Sequence, residues 1–518
     1  MAHDSFGQFV RALEKAGELK RVSQPVATEL EITELADREM KSPGGGKALL
    51  LEKPTVNGRV SPFPVAINTL GSHRRMALSM GAGSVEEAAR ELGALLKAKP
   101  PVGFAEAIQL LGLALDLRHA KPKLVNAGAC QEVVLRGAEL AGGATSAFRQ
   151  SAMAPLGGAT AEAFPDSFPT LASLPILKCW PLDAGRFITL PCVVTRDPDT
   201  GERNVGLYRM QIYDGQTTGM HWQLQKVAAR HGKRYFETGR PMPVSVFLGG
   251  DPVLTFCASA PLPDGMDEFL LAGYLRKKSV ELVKCLTNDL EVPADADFVI
   301  EGHVDPKEPL RMEGPFGDHT GYYSMPDLYP AFHITAITHR KDAVYPATIV
   351  GRPPMEDFYI GTASVRLFLP VLKMNFPELV DLALPAEGVF HNLVFVSIKK
   401  TYPMQAYKIM HCLWGMGQMM FTKYIVVVDE DVDVHDTSEV LFRLCATTDP
   451  QRDAIFTRGP ADALDHATSQ FAIGTKMGID ATKKLPGEGF KREWPLLIKM
   501  DEAVQKKIAL LFPSQPQP

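Results

Sequence analysis

No two of the seven cysteines (Cys130, Cys179, Cys192, Cys257, Cys285, Cys412, Cys445) stand in a CxxC spacing. That odd, scattered set excludes a zinc ribbon or a disulfide framework and is the usage of a reduced, cytosolic protein. Positive charge is not in excess: 55 Lys and Arg against 60 Asp and Glu leave a net charge of -5, without the basic face that a nucleic-acid partner needs. No apolar run approaches the roughly 20 residues of a bilayer crossing. The opening stretch MAHDSFGQFVRALEKAGELK lacks the basic-then-apolar order of a secretory signal. A cytoplasmic protein without a membrane span is expected. Several signatures of chemistry are missing too. PGGGKALL does not have P-loop spacing, SMGAGSVEE lacks the third glycine of a dinucleotide-binding turn, and neither a GxSxG elbow nor an HExxH helix occurs.

What is present divides by texture. The 518 residues exceed one ordinary core and predict two to four domains. Residues 1–121 mix helical patterns with short strands, as an α/β domain does. Phe6, Phe9, Val10 and Leu13 follow helical spacing, and VEEAARELGALLKA reads as a second helix. Residues 122–325 are β in character, with RFITLPCVVTRD, GLYRMQIYD, PVSVFLGG, PVLTFCAS and FVIEGHVD as strands, and AFHITAITH follows just beyond. Many short strands at close intervals predict a barrel or sandwich. Within this part an Ala/Gly-rich excursion, about 139–175, has few residues that can anchor a core. It reads as a lid or as a plain surface loop.

Residues 326–518 return to α/β. YIVVVDEDVDVHDTSEVLFRLCAT reads as a buried strand, an acidic loop, an Asp436 N-cap and a helix. The acids Asp429, Glu430, Asp431 and Asp433 have two readings. They form a divalent-metal site, which would suit a metal-dependent hydrolase, or they meet water and cap the next helix, the commoner use at a strand tip.

The segment MEGPFGDHTGYYS, Met312 to Ser324, is unlike the rest. Glu313 and Asp318 flank Gly314, Pro315 and Gly317 on a stretch that reads as neither helix nor strand. The glycines open backbone conformations closed to other residues and Pro315 stiffens the segment, so both carboxylates can be aimed inward. Phe316, Tyr322 and Tyr323 beside them predict a raised carboxyl pKa and hence a proton donor near neutral pH. A tight turn whose acids merely bind nearby amides is the alternative.

EGPFGDHTGYYS closely resembles the signature of the UbiD family of reversible, prenylated-FMN-dependent decarboxylases. NVGLYRMQIYD, TTGMHWQ, PVSVFLGGDP, PLPDGMDEFLLAGYLR, ELVKCLTNDLEVPADADFVIEGHV, GRPP, SIKKTYPMQAYK and KMGIDATKK resemble further family segments in family order, from LEKAGELKRV to REW. The resemblance implies an α+β multidomain fold: an N-terminal α/β domain, a central flavin-reductase-like split β-barrel and a C-terminal α/β domain used in oligomerisation. It implies non-oxidative, reversible decarboxylation of an aromatic, hydroxybenzoate-type or α,β-unsaturated acid through a covalent adduct with prenylated FMN. A 4-hydroxybenzoate-type acid is the favoured substrate, with 3-polyprenyl-4-hydroxybenzoate in quinone biosynthesis as one such acid. Another phenolic or heteroaromatic acid, or a non-catalytic flavin-binding homologue, is the alternative.

The same resemblance implies a catalytic trio of Arg209, Glu313 and Asp318, with Asp318 returning a proton to the carbon that loses carbon dioxide and Arg209 holding Glu313 ionised. It implies a cofactor-binding set of Asn204, Tyr208, Arg209, Gln225, Ala258, Ser259, Glu268 and Lys408. Within that set Asn204, Gln225 and Glu268 would hold Mn2+ or Mg2+ against the flavin phosphate, and K+ would sit near Glu268 and the carbonyls of Ala258 and Ser259. Gln225 stands where the family has histidine, and a neutral oxygen there would favour magnesium. His221 reads as a compensating ligand or, more simply, as a barrel residue. Lys408 reads as a phosphate contact or as a solvated helix lysine, and His319 and Tyr322 as pocket or packing residues. RPPMEDF, Arg352 to Phe358, is expected at a domain boundary. Implied partners are carbon dioxide, a flavin prenyltransferase that supplies the cofactor, and further copies of the chain as a dimer or hexamer.

Overall fold

The computed structural model describes residues 2–97, 117–137, 140, 171–223 and 225–513. The N-terminal part is built on a four-stranded sheet ordered Leu19–Val22, Ala48–Leu51, Val65–Ile67, Tyr345–Ala347. Its outer pairs run parallel and its middle pair antiparallel. The helix Phe6–Lys15 buries Phe6, Phe9, Val10 and Leu13 in one core with Ala48, Leu50 and Ala66, as the helical spacing predicts. Ser5 caps it by accepting the Gln8 N–H, and Ser84 caps the helix Val85–Leu96 in the same way through Glu87. The last strand of this sheet comes from far along the chain, so the N-terminal part is closed by residues 345–347.

The central sheet runs Arg203–Leu207, Cys192–Arg196, Met242–Leu248, Phe298–Val304, Ala331–His339, Thr217–Gly219, each pair antiparallel, with Val133–Arg136 added against Ala331–His339. Its β-branched and aromatic residues pack one core: Val244, Val246 and Leu248 meet Phe298, Ile300 and Phe332. Among the described residues the sheet is an open path without closure into a barrel. Ala331–His339 carries it beyond residue 325, where the composition changes.

One expected strand is a helix. PVLTFCAS folds as the helix Pro252–Cys257, with the Asp251 carboxylate accepting the Val253 N–H and Pro252 pre-set for the first turn. All six residues are buried. An apolar run buried all round has no helical period to betray it. Residues 141–170 of the Ala/Gly-rich excursion lie outside the described residues.

The C-terminal part has a five-stranded sheet ordered Leu379–Ala383, Leu393–Ile398, Tyr424–Asp429, Ile473–Asp480, Ala454–Pro460, parallel at its centre and antiparallel at both edges. Tyr424–Asp429 leads into the helix Thr437–Thr447, which Asp436 caps through the Ser438 and Glu439 N–H groups. The 20-residue helix Glu356–Asn375 joins this sheet to the rest and packs along Val85–Leu96. Among the described residues no helix is long and apolar enough to cross a membrane.

Candidate active site

The loop between Glu313 and Ser324 is fixed by its own backbone and by Asp183. Glu313 is not in an irregular stretch: it ends the short strand Arg311–Glu313, paired with Asp327–Tyr329. Gly314 then takes a positive φ of 89°, and its N–H donates to Gln211 Oε1 at 2.8 Å. Ser324 closes the loop at both ends, its N–H on the Phe316 carbonyl and its hydroxyl accepting the Phe316 N–H at 3.2 Å. The Asp183 carboxylate accepts the N–H groups of Gly317, Trp180 and Cys179 at 2.7, 2.8 and 3.1 Å. At Gly317 a Cβ would stand 2.1 Å from the Trp180 ring, so glycine is required by space.

This loop meets Arg209, which follows the strand Arg203–Leu207. Arg209 Nε and Nη2 grip Glu313 Oε1 and Oε2 at 2.8 and 3.1 Å, a bidentate pair. Nη1 donates to Asp318 Oδ2, and Nη2 also reaches the Ser324 hydroxyl at 3.2 Å. The guanidinium lies 4.8 Å from the Phe316 ring centre. Arg209, Glu313 and Asp318 therefore form one buried cluster from two separated stretches of chain, the Glu313 side chain 1 % exposed and Asp318 7 %.

The charge state differs from the expectation drawn from the aromatic neighbours. Burial does push both carboxyls up, but other groups outweigh it: His221 and Arg209 bring Glu313 down to about 2, and Arg209 and His319 hold Asp318 well below the carboxylate range. Both acids are ionised here, and their pKa values are not driven apart. His319, its Nδ1 2.9 Å from Asp318 Oδ1, is pushed up to about 9 against the opposing effect of burial.

His221 is no bystander, for it braces Glu313. Its Nδ1 lies 3.2 Å from Glu313 Oε2, its ring is 4.4 Å from that of Tyr329, and its buried Nε2 has no partner. Burial and the nearby Arg209 charge lower its pKa, which keeps the imidazole neutral. Sequence spacing gave no sign of this contact, because Gln225 and His221 do not share a strand: His221 follows Thr217–Gly219, whereas Gln225 stands in the turn before the helix Val227–Thr238.

Of the cofactor-binding set, Asn204, Tyr208 and Glu268 lie together. Glu268 opens the helix Glu268–Arg276 and its Oε2 accepts the Val205 N–H at 2.8 Å. Burial pushes Glu268 up to about 7, and burial pushes the Tyr208 hydroxyl, which pairs with Asn204, up to about 12. The Asn204 Nδ2 is buried without a partner. The Glu268 carboxylate and the Asn204 side-chain carbonyl are hard oxygen donors of the kind a divalent ion takes. Ala258 caps Pro252–Cys257 with its carbonyl accepting the Leu207 N–H at 3.3 Å, and the Ser259 hydroxyl donates to Phe256 O. Lys408, on the helix Gln405–Trp414, is paired with Glu378 at 2.5 Å.

The C-terminal part packs onto this loop through His391, Phe390 and His466. The His319 ring is 5.0 Å from His391 and 5.7 Å from Phe390, and Tyr322 is 4.2 Å from His466. Arg352 packs against Gly321, and the Trp180 indole N–H donates to Val350 O at 2.8 Å, so the segment before the helix Glu356–Asn375 borders the same loop. The acidic run is occupied otherwise: Asp429 accepts the Lys483 N–H, Asp431 pairs with Arg443 at 3.0 Å, and Asp433 accepts the His435 N–H.

Three family models match in order: the 3-octaprenyl-4-hydroxybenzoate carboxy-lyase N-terminal domain at residues 10–96, its Rift-related domain at 159–353 and its C-terminal domain at 358–481. The chain belongs to the UbiD family. A protein of Archaeoglobus fulgidus is 45 % identical to this UbiD-family chain over 514 residues, covering 99 % of the chain and 98 % of the relative. One of Aquifex aeolicus is 46 % identical over 500 residues, 96 % of each. Among solved structures, the closed form of Sedimentibacter hydroxybenzoicus vanillic acid decarboxylase superposes with a TM-score of 0.81 at 26 % identity, covering 99 % of both chains. An open form of the same enzyme gives 0.74, covering 99 % and 100 %. The UbiD-class enzyme HmfF from Pelotomaculum thermopropionicum in complex with FMN gives 0.74 at 27 % identity, covering 95 % and 97 %. The mixed α/β multidomain fold of this UbiD-family chain is theirs.

Proposed function

We propose that this chain is a prenylated-FMN-dependent carboxy-lyase acting reversibly on an aromatic, 4-hydroxybenzoate-type acid, with 3-polyprenyl-4-hydroxybenzoate in quinone biosynthesis as one such acid. The observation that carries this reading is the buried Arg209 fork between Glu313 and Asp318. Expelling carbon dioxide from an sp2 carbon leaves an electron pair that no side chain can accept, and the flavin is the sink for it. Asn204, Gln225 and Glu268 would hold its phosphate through Mn2+ or Mg2+, Tyr208 and Lys408 would contact it, and Glu268 with the Ala258 and Ser259 carbonyls would take K+.

The chain's own groups do the rest. Arg209, permanently charged and planar, seats the substrate carboxylate. Glu313, pinned by His221 and the Arg209 fork, keeps that guanidinium oriented. Asp318 is held ionised by Arg209 Nη1. When the substrate carboxylate takes over that donor, Asp318 keeps only His319 as a charged partner and its proton affinity rises, so it takes the proton from His319 Nδ1 and delivers it to the carbon that loses carbon dioxide. The central sheet corresponds in this reading to the family's split barrel. Further copies of the chain complete the molecule in a homo-oligomer.

Native mass spectrometry of the chain co-expressed with a flavin prenyltransferase tests the cofactor, and carbon dioxide release from a panel of hydroxybenzoates tests the substrate class. A bound mass of FMN plus a five-carbon unit, with turnover abolished in Arg209→Ala, is expected. A chain that stays empty, or an Arg209→Ala variant that still turns over, overturns the reading.

A further inference from the structure

His319, His391 and Asp462 bring one nitrogen or oxygen atom each within 4.8 Å of one another, outside both the trio and the Asn204–Glu268 cluster. His391 Nε2 and Asp462 Oδ2 are already 3.5 Å apart. Ligands at zinc-like bond lengths of about 2.1 Å stand roughly 3.4 Å from each other, so small side-chain rotations complete the geometry.

Each of the three is also held from behind, as metal ligands are. The Asp318 carboxylate binds His319 Nδ1 at 2.9 Å, the Val389 carbonyl binds His391 Nδ1 at 2.7 Å, and the Leu464 N–H donates to Asp462 Oδ1 at 2.8 Å. A carboxylate or carbonyl on Nδ1 puts the proton there and leaves Nε2 as the lone pair, the arrangement by which ligating imidazoles are oriented. The backbone that presents His391 is strained as well: Val389 and Phe390 have φ of +55° and +41°, positions that branched and bulky residues rarely take. His319 comes from the loop that carries Asp318, whereas His391 and Asp462 come from the C-terminal part.

We propose that these three side chains form a second divalent-cation site, distinct from the one toward the flavin phosphate, that takes a single zinc-class ion and ties the C-terminal part onto the Glu313–Ser324 loop. Two imidazoles and one carboxylate suit a borderline transition ion and leave a fourth position for water. The Asp318 carboxylate behind His319 attracts a cation to this point, and binding displaces any proton on His319 Nε2 to solvent.

The test uses Co2+ as the probe, titrated into flavin-loaded wild-type protein and into His391→Ala and Asp462→Asn variants with the same flavin loading. Wild-type protein is expected to take up one Co2+ per chain with a visible ligand-field band. Both variants are expected to lose it, with affinity down by more than the roughly 10–100-fold that an outer partner is worth. Crystals of wild-type protein soaked in Co2+ decide the matter if a variant does not stay folded, by an anomalous peak among the three side chains. Uptake unchanged in both variants, or no peak at this position, overturns the proposal.

Discussion

At the scale of residues, the Arg209–Asp318 contact decides what each acid does. Asp318 is separated from Arg209 by 109 residues, so the local stretch displayed the aromatic neighbours that raise a carboxyl pKa, whereas the guanidinium that outweighs them was named only through the resemblance. The motif named side chains that the structure brings together, and the aromatic neighbours predicted a resting charge on Asp318 that Arg209 reverses. Asp318→Asn keeps the shape and the contact to Arg209 but has no proton to give. It is expected to retain flavin in native mass spectra while turnover falls by roughly 10²–10⁴, the usual worth of a positioned acid. Glu313 makes a separate, pH-dependent contribution. Its folded pKa of about 2 lies below the ordinary 4.5, so the stabilisation is present above about pH 4.5 and is lost as pH falls toward 2. The shift corresponds to something on the order of 3 kcal/mol. Glu313→Gln is therefore expected to melt lower than wild type at pH 7, with the gap shrinking on acidification through that window. A gap independent of pH would show that the charge contributes nothing.

Elements were legible where their signals were local. The Asp436 cap, the helix Phe6–Lys15 and the strand Tyr424–Asp429 each carry their cause within a few residues. Pro252–Cys257 misled because a short helix buried on every side has the same apolar texture as a strand. Strand membership was also invisible to composition, as Tyr345–Ala347 in the N-terminal sheet shows. The loop after Glu313 makes the sharpest prediction at this scale. A methyl group at Gly317 would press on the rigid side of the Trp180 indole, which is itself tied to Val350, so the loop must yield. Gly317→Ala is expected to lower stability by about 1–3 kcal/mol and to reduce kcat/KM more than Asp436→Ala does. The latter removes a cap distant from the trio and is expected to cost about 0.5–2 kcal/mol with turnover unchanged. Equal effects of the two on kcat/KM would mean that loop geometry does not matter to the chemistry.

For the whole molecule, His391, Phe390 and His466 bring the C-terminal part onto the trio's loop. Among the described residues that packing still leaves the C-terminal stretch uncovered. The helix Glu502–Leu511 buries no residue, and Leu496, Ile498 and Leu510 are 94 %, 98 % and 83 % exposed. A helix cannot hold itself together over so few residues without packing, and an apolar stretch this open is the mark of a contact surface. Family resemblance alone sets the expectation of oligomerisation in this third of the chain, and among the described residues these side chains find no cover. Replacing Leu496, Ile498 and Leu510 together by serine removes apolar surface from residues that support no internal core. Light scattering is expected to show the wild-type assembly falling to a smaller species, with the melting behaviour of the remaining core retained. A triple variant of unchanged mass would place the interface elsewhere on the molecule and leave the exposed helix without a role in assembly.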